Sequence, residues 1–383
     1  MNGGLRERVL RAYGASASET VELLSYNANV FDQSCLASPP EFPLPDEPHV
    51  SVWERYAEEA GKLGAFTALQ KRLVQFAFPV SEGISASDAY LAATRQGVPA
   101  KDLEEATGLL LLRPEALRLV LHPTPAGRIP VLITPQREDF VTLVQALAMK
   151  NEPKPVPASQ GASIVGGLVN WDRIQTLREQ WEANRDPADI WTTWDLELRR
   201  IAPHKELYQD RLILLSEGPY SSVPAGEMGI TEEEWLRLSL TIRLEHECTH
   251  YFTRRLFGSM RNNLLDEVIA DFMGIVAAAG EYRADWFLRF VGLDTWPAYR
   301  EGGRLQNYRG QPPLSDAAFT ILQALVRDAA YNLERFDAGL RASGDAGSRA
   351  RVLLALTCFT LEELAADDVD SLLAAAKGAA RRH

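Results

Sequence analysis

The stretch TEEEWLRLSLTIRLEHECTHYFTRRLFG, residues 231–258, constrains the fold most, because it carries helix signals at both ends. Thr231 followed by Glu232, Glu233 and Glu234 is a capping-box start, with acidic side chains at the positive end of the helix dipole. Gly258 is a helix stop. The spacing therefore predicts one long helix over 231–257, and side-chain directions along it follow from helical geometry.

Two of the chain's six histidines, His246 and His250, lie on that helix. Four residues are about 400° of rotation, so both imidazoles leave the same face one turn apart and can reach one metal ion. Glu247 is rotated about 100° from His246, where its carboxylate can approach a metal-activated water without displacing an imidazole. That is where a general base belongs. A surface ion pair of Glu247 with Arg243 or Arg254 is the other use of the same residue. Cys248 points away from the two histidines and reads as a buried small residue.

The next segment, LLDEVIADFMGIVAAAG at 264–280, reads as a second helix and places Glu267 after His250 with sixteen residues between them. A structural zinc site takes four protein ligands, whereas two histidines and one carboxylate leave a position open for water or substrate. Asp271, four residues after Glu267, shares its face and can accept the hydrogen bond of the non-ligating nitrogen of His246. Asp266 is the rival to Glu267 as third ligand.

The pattern His246-Glu247-Cys248-Thr249-His250 followed by Glu267 and Asp271 resembles the gluzincins, the thermolysin-like zinc metallopeptidases. The resemblance covers only this motif span. It implies a zincin-like metalloprotease fold, zinc held by His246, His250 and Glu267, Glu247 as the base, and Asp271 orienting His246. It also implies an antiparallel edge strand ahead of the active-site helix that binds an extended substrate, a role that falls on residues 211–216. AGEMG at 225–229 does not reproduce the G-x-M-E-N element of the aminopeptidase branch. Tyr220, His204, Tyr251, Arg304 and Tyr308 have the chemistry to stabilise an oxyanion, and no spacing selects among them.

The expected function is hydrolysis of a peptide or small amide by metal-activated water. The same two histidines and one carboxylate also describe the facial triad of non-haem Fe2+ oxygenases, so a peptide or amino-acid hydroxylase is the alternative. Ser163 lies among small residues but lacks the elbow pattern of a serine hydrolase. Forty basic against fifty-two acidic side chains give a net charge of -12, which disfavours nucleic acid and anionic membranes as partners. Three widely spaced cysteines argue against a disulfide framework, and Arg6, Glu7, Arg8 and Arg11 stand where a signal peptide would be apolar. A cytoplasmic location is the expectation.

The fold class expected is α+β and predominantly helical. Residues 5–33 and 51–120 read mainly as helices, separated by the proline-rich connector SPPEFPLPDEP at 38–48. RLVLH at 118–122 and RIPVLIT at 128–134 flank PTPAG and predict a hairpin, after which Thr134-Pro135 reads as a helix cap. The proline cluster NEPKPVP at 151–157 is taken as the boundary between a mostly helical N-terminal accessory region, 1–150, and a catalytic region, 151–383. The small residues of 158–174 suggest close backbone packing, and RLILLSEGPYSSVP at 211–224 a strand running into a turn. A C-terminal helical lobe, 281–383, opens with aromatic residues that read as core rather than pocket floor.

Overall fold

The structure, a computed structural model, describes residues 3–36, 40–184, 193–258, 263–342, 348–366 and 368–381. The side chain of Cys35, residues 38 and 39 of the connector, and residues 343–347, 367 and 382–383 of the C-terminal lobe lie outside them. The described chain is predominantly helical with one small mixed sheet. No described helix is long and apolar enough to cross a membrane.

Two compact units divide the chain, and they do not follow the expected boundary. One is Pro45–Gly218; the other joins Met1–Leu44 to Pro219–His383. The cluster at 151–157 lies inside the first unit, where it links a helix to a strand. The chain crosses at Leu44–Pro45, within the first proline-rich stretch, and returns at the Gly218–Pro219 turn.

The unit Pro45–Gly218 holds the sheet. Strands β1 (Arg118–His122) and β2 (Ile129–Thr134) form the expected antiparallel hairpin, with Arg118 opposite Ile133. Strand β3 (Ala162–Val169) pairs antiparallel with β4 (Gln209–Ser216), and β4 runs parallel to β2, giving the order β1-β2-β4-β3. β4, which holds residues 211–216, therefore lies inside the sheet, with residues 213–216 paired on both sides, and the edge strands are β1 and β3. The hydrogen-bonding groups of 213–216 are spent within the sheet, which leaves none there for an extended ligand. The small residues of 158–174 accordingly make a strand, with a register shift between Gly166 and Leu168.

Thr134 does not cap the following helix. It is the last residue of β2, opposite Ser216, and the helix Arg137–Ala148 starts after Gln136. Phe140, Leu143, Val144 and Leu147 of that helix join Leu132, Leu212, Leu214, Trp53 and Leu69 in one core. Past Gln70, the segment expected to be helical breaks into single turns, among them Val74–Ala77, Ile84–Ala86 and Pro114–Ala116. Prolines and glycines at 79, 83, 97, 99, 108 and 114 interrupt it.

The other unit is built on two helices that match the sequence reading. The histidine helix, Glu232–Phe257, starts at Thr231, whose hydroxyl accepts from Glu234 N, and ends at Gly258. The acidic helix, Leu264–Ala279, is capped by Asn263 and ends at Gly280. Their backbones touch: a Cβ on Gly274 would lie 2.6 Å from the Ile242 carbonyl oxygen. Aromatic side chains of 281–300 are core, with Trp286 edge-on to Trp235 at 5.7 Å and Phe290 edge-on to Tyr220 at 4.9 Å.

Candidate metal centre

Helical arithmetic brings His246 and His250 to one buried spot, and the first turns of the acidic helix bring Glu267 to the same spot. His246 Nε2 lies 3.0 Å from His250 Nε2 and 3.4 Å from Glu267 Oε2, and His250 Nε2 lies 3.5 Å from Glu267 Oε1. A cation held at 2.0–2.1 Å by tetrahedral ligands spaces them roughly 3.3 Å apart. One donor atom from each residue fits within a 4.8 Å span, so the three side chains can share one ion.

The other face of each imidazole is tied to a carboxylate. His246 Nδ1 is 2.8 Å from Asp271 Oδ1, and His250 Nδ1 is 3.0 Å from Asp266 Oδ2. A carboxylate can only accept, so each Nδ1 carries a proton, and each Nε2 is left facing Glu267 and the other imidazole, where it can hold a second proton or, once that proton is lost, a cation. The two Nε2 atoms face each other across 3.0 Å, close enough to share one positive charge, a proton or a metal ion.

The surroundings call for positive charge. Asp266, Glu267 and Asp271, against the Arg304 guanidinium, leave two formal negative charges for protons on the imidazoles or for a cation to balance. Burial by itself would raise the Glu267 carboxyl, yet hydrogen bonds from His246 and His250 hold it well below the usual carboxylate range. Burial would lower both histidines, yet Asp266 raises His250 and Asp271 raises His246. A buried, doubly negative cluster with two imidazoles suits a divalent cation.

Glu247 differs from its neighbours. It is partly exposed, and His246, His250 and Arg243 attract its charge. Burial raises its carboxyl above the ordinary value. A partly exposed carboxylate beside two imidazoles is available to exchange protons with solvent or ligand.

Asp271 sits where the spacing expected it, 2.8 Å from His246 Nδ1. Asp266, weighed as a rival to Glu267, instead orients His250, and its own position is fixed by Thr253 Oγ1 at 3.3 Å. Adjacent carboxylates on a helix diverge by about 100°, so Asp266 and Glu267 can serve opposite faces of one imidazole. Of the five candidate donors, three belong to this network. Tyr220 donates to Asp271 Oδ1 at 2.6 Å, Arg304 reaches Asp271 and Tyr220, and Tyr308 donates to Glu267 Oε2 at 2.7 Å. Tyr251 is in the core beneath Arg255, and His204, in the sheet-bearing unit, is 3.4 Å from Glu206. Cys248 is buried.

A sequence profile matches residues 8–368. The chain belongs to DUF7005, a family of unknown function. No curated protein and no solved structure matches this DUF7005 chain.

Proposed function

We propose that this DUF7005 chain is a zinc-dependent hydrolase of zincin-like fold that cleaves a peptide or small amide bond. His246, His250 and Glu267 hold the ion, Asp271 and Asp266 fix the two imidazoles, and Glu247 is the base. The single observation that carries the reading is the pair of Nε2 atoms 3.0 Å apart, both facing Glu267, with both Nδ1 nitrogens tied to carboxylates.

A bound zinc ion supplies Lewis acidity, polarising a carbonyl and lowering the pKa of water toward about 7. Glu247 accepts the proton of the attacking water and returns it to the leaving nitrogen. Its partly exposed carboxyl and raised pKa suit that double role. Tyr220 and Arg304 hold Asp271, so the imidazole of His246 stays oriented while the proton moves.

The test is metal analysis of the purified protein, then digestion of a peptide library with and without chelator. Zinc at one equivalent and chelator-sensitive cleavage are expected, with Glu247→Gln keeping the metal and losing at least a hundredfold in turnover. Iron together with oxygen- and 2-oxoglutarate-dependent product would establish the hydroxylase instead. Absence of any bound divalent metal, or full turnover by Glu247→Gln, sinks the proposal.

A further inference from the structure

We infer that Gly303–Gly310 is a positioning strap for the ligand-bearing face of the acidic helix, and that Tyr308 within it makes Glu267 a one-oxygen ligand. The inference rests on the proposed metal site.

Glu267 and Asp271 stand one turn apart on the acidic helix. Arg304 and Tyr308 stand four residues apart at the two ends of a single short 3-10 segment, Arg304–Tyr308. The two pairs are matched. The Arg304 guanidinium grips Asp271 Oδ2 and donates to Tyr220 at 2.9 Å, while the Tyr308 hydroxyl donates to Glu267 Oε2 at 2.7 Å. Between them, Leu305 is buried and Gln306 and Asn307 are exposed, so the segment adds little to the core. Its polar grip on two buried carboxylates is what it contributes.

Both ends of the strap are pinned by contacts that leave no slack. At Gly303 a Cβ would lie 2.6 Å from Gly292 Cα and 2.7 Å from the Val291 carbonyl oxygen, so backbone rests on backbone. At the other end, Tyr26 donates its hydroxyl hydrogen bond to the Tyr308 carbonyl, and Gly310 lies against the Tyr26 ring. Tyr308 is thereby delivered to a fixed point above Glu267.

The consequence is chemical. Both oxygens of Glu267 face an imidazole, Oε2 at 3.4 Å from His246 Nε2 and Oε1 at 3.5 Å from His250 Nε2; with Oε2 engaged by a phenol, Oε1 is the one left to meet the cation. Without that hydroxyl both oxygens are free to bind, which raises the coordination number and fills the position an open site keeps for water or substrate. Tyr308 is a positioning residue, acting through Glu267.

The test compares wild type, Tyr308→Phe and Gly303→Ala for zinc affinity by chelator competition and for the visible spectrum of the cobalt-loaded protein. Tyr308→Phe is expected to bind zinc ten- to a hundredfold more weakly, the usual effect of losing a group that orients a ligand. Its cobalt bands should weaken as the coordination number rises, while metal-free protein melts near the wild-type temperature. Gly303→Ala touches neither carboxylate and should move affinity in the same direction. Tyr308→Phe decides the matter whether or not Gly303→Ala folds. Wild-type affinity and an unchanged cobalt spectrum in Tyr308→Phe overturn the strap alone. A wild-type protein that takes up neither ion overturns the metal site and the strap together.

Discussion

Asp266 is held from several sides at once: its backbone N–H donates to Asn263, Thr253 lies against Oδ1, and Oδ2 takes the Nδ1 proton of His250. Removing it leaves His250 free to rotate or to change tautomer, which misdirects a donor to the cation. Asp266→Ala should therefore weaken zinc binding at least tenfold, and Asp266→Asn, which keeps an oxygen acceptor, by less. Chelator competition measures both, and equal affinity in all three proteins would remove Asp266 from the site. At this scale the motif was readable because helical spacing relates His246 to His250 on one helix and Glu267 to Asp271 on the next. Tyr220, Arg304 and Tyr308 were readable only as residue types. They come from a turn and a 3-10 segment, where no period tells which buried carboxylate a side chain meets.

Among elements, the crossing of the histidine and acidic helices sets the distance between ligands supplied by different helices. Gly274 is the contact point, with no room for a methyl group against the Ile242 carbonyl. Gly274→Ala must push the helices apart by several tenths of an ångström, at a cost of about 1–3 kcal/mol. The displacement separates Glu267 from both imidazoles, so zinc affinity should fall along with the melting temperature. A variant that loses stability yet binds zinc as wild type would show that the crossing does not set ligand geometry. Helix ends at Thr231, Gly258 and Gly280 were legible because each is a local capping event. The reading failed where non-local pairing decided the outcome. Thr134 has the chemistry of a cap but pairs with Ser216 instead, and the Gly-rich run 162–169 becomes a strand only because β4 lies beside it.

Across the whole molecule, the division into units was the least legible feature, because one unit is assembled from both ends of the chain. Its N-terminal part is tied down by partners more than three hundred residues away: Arg6 and Asn27 both reach the buried Glu362, each at 3.1 Å, and Tyr13 donates to Asp328 at 2.6 Å. A sequence scan for boundaries finds the proline-containing turns but cannot tell a crossing from a link within a unit. The other unit has its own buried anchor in Asp210, which receives Trp53 at 2.8 Å, Asn170 at 2.7 Å and Arg173 at 2.6 Å. Truncating either anchor strands a buried or half-buried guanidinium, at about 3–5 kcal/mol. Each unit having its own core and anchor, calorimetry should resolve two unfolding transitions. Glu362→Ala should lower only one, and zinc, if it binds the proposed site in that same unit, should raise it by about 2.7 kcal/mol of stability at a hundred times Kd. Asp210→Ala should lower only the other, with the zinc-dependent shift intact. If all three perturbations move a single transition together, the units do not unfold independently, and stability measured at one anchor reports on the entire chain.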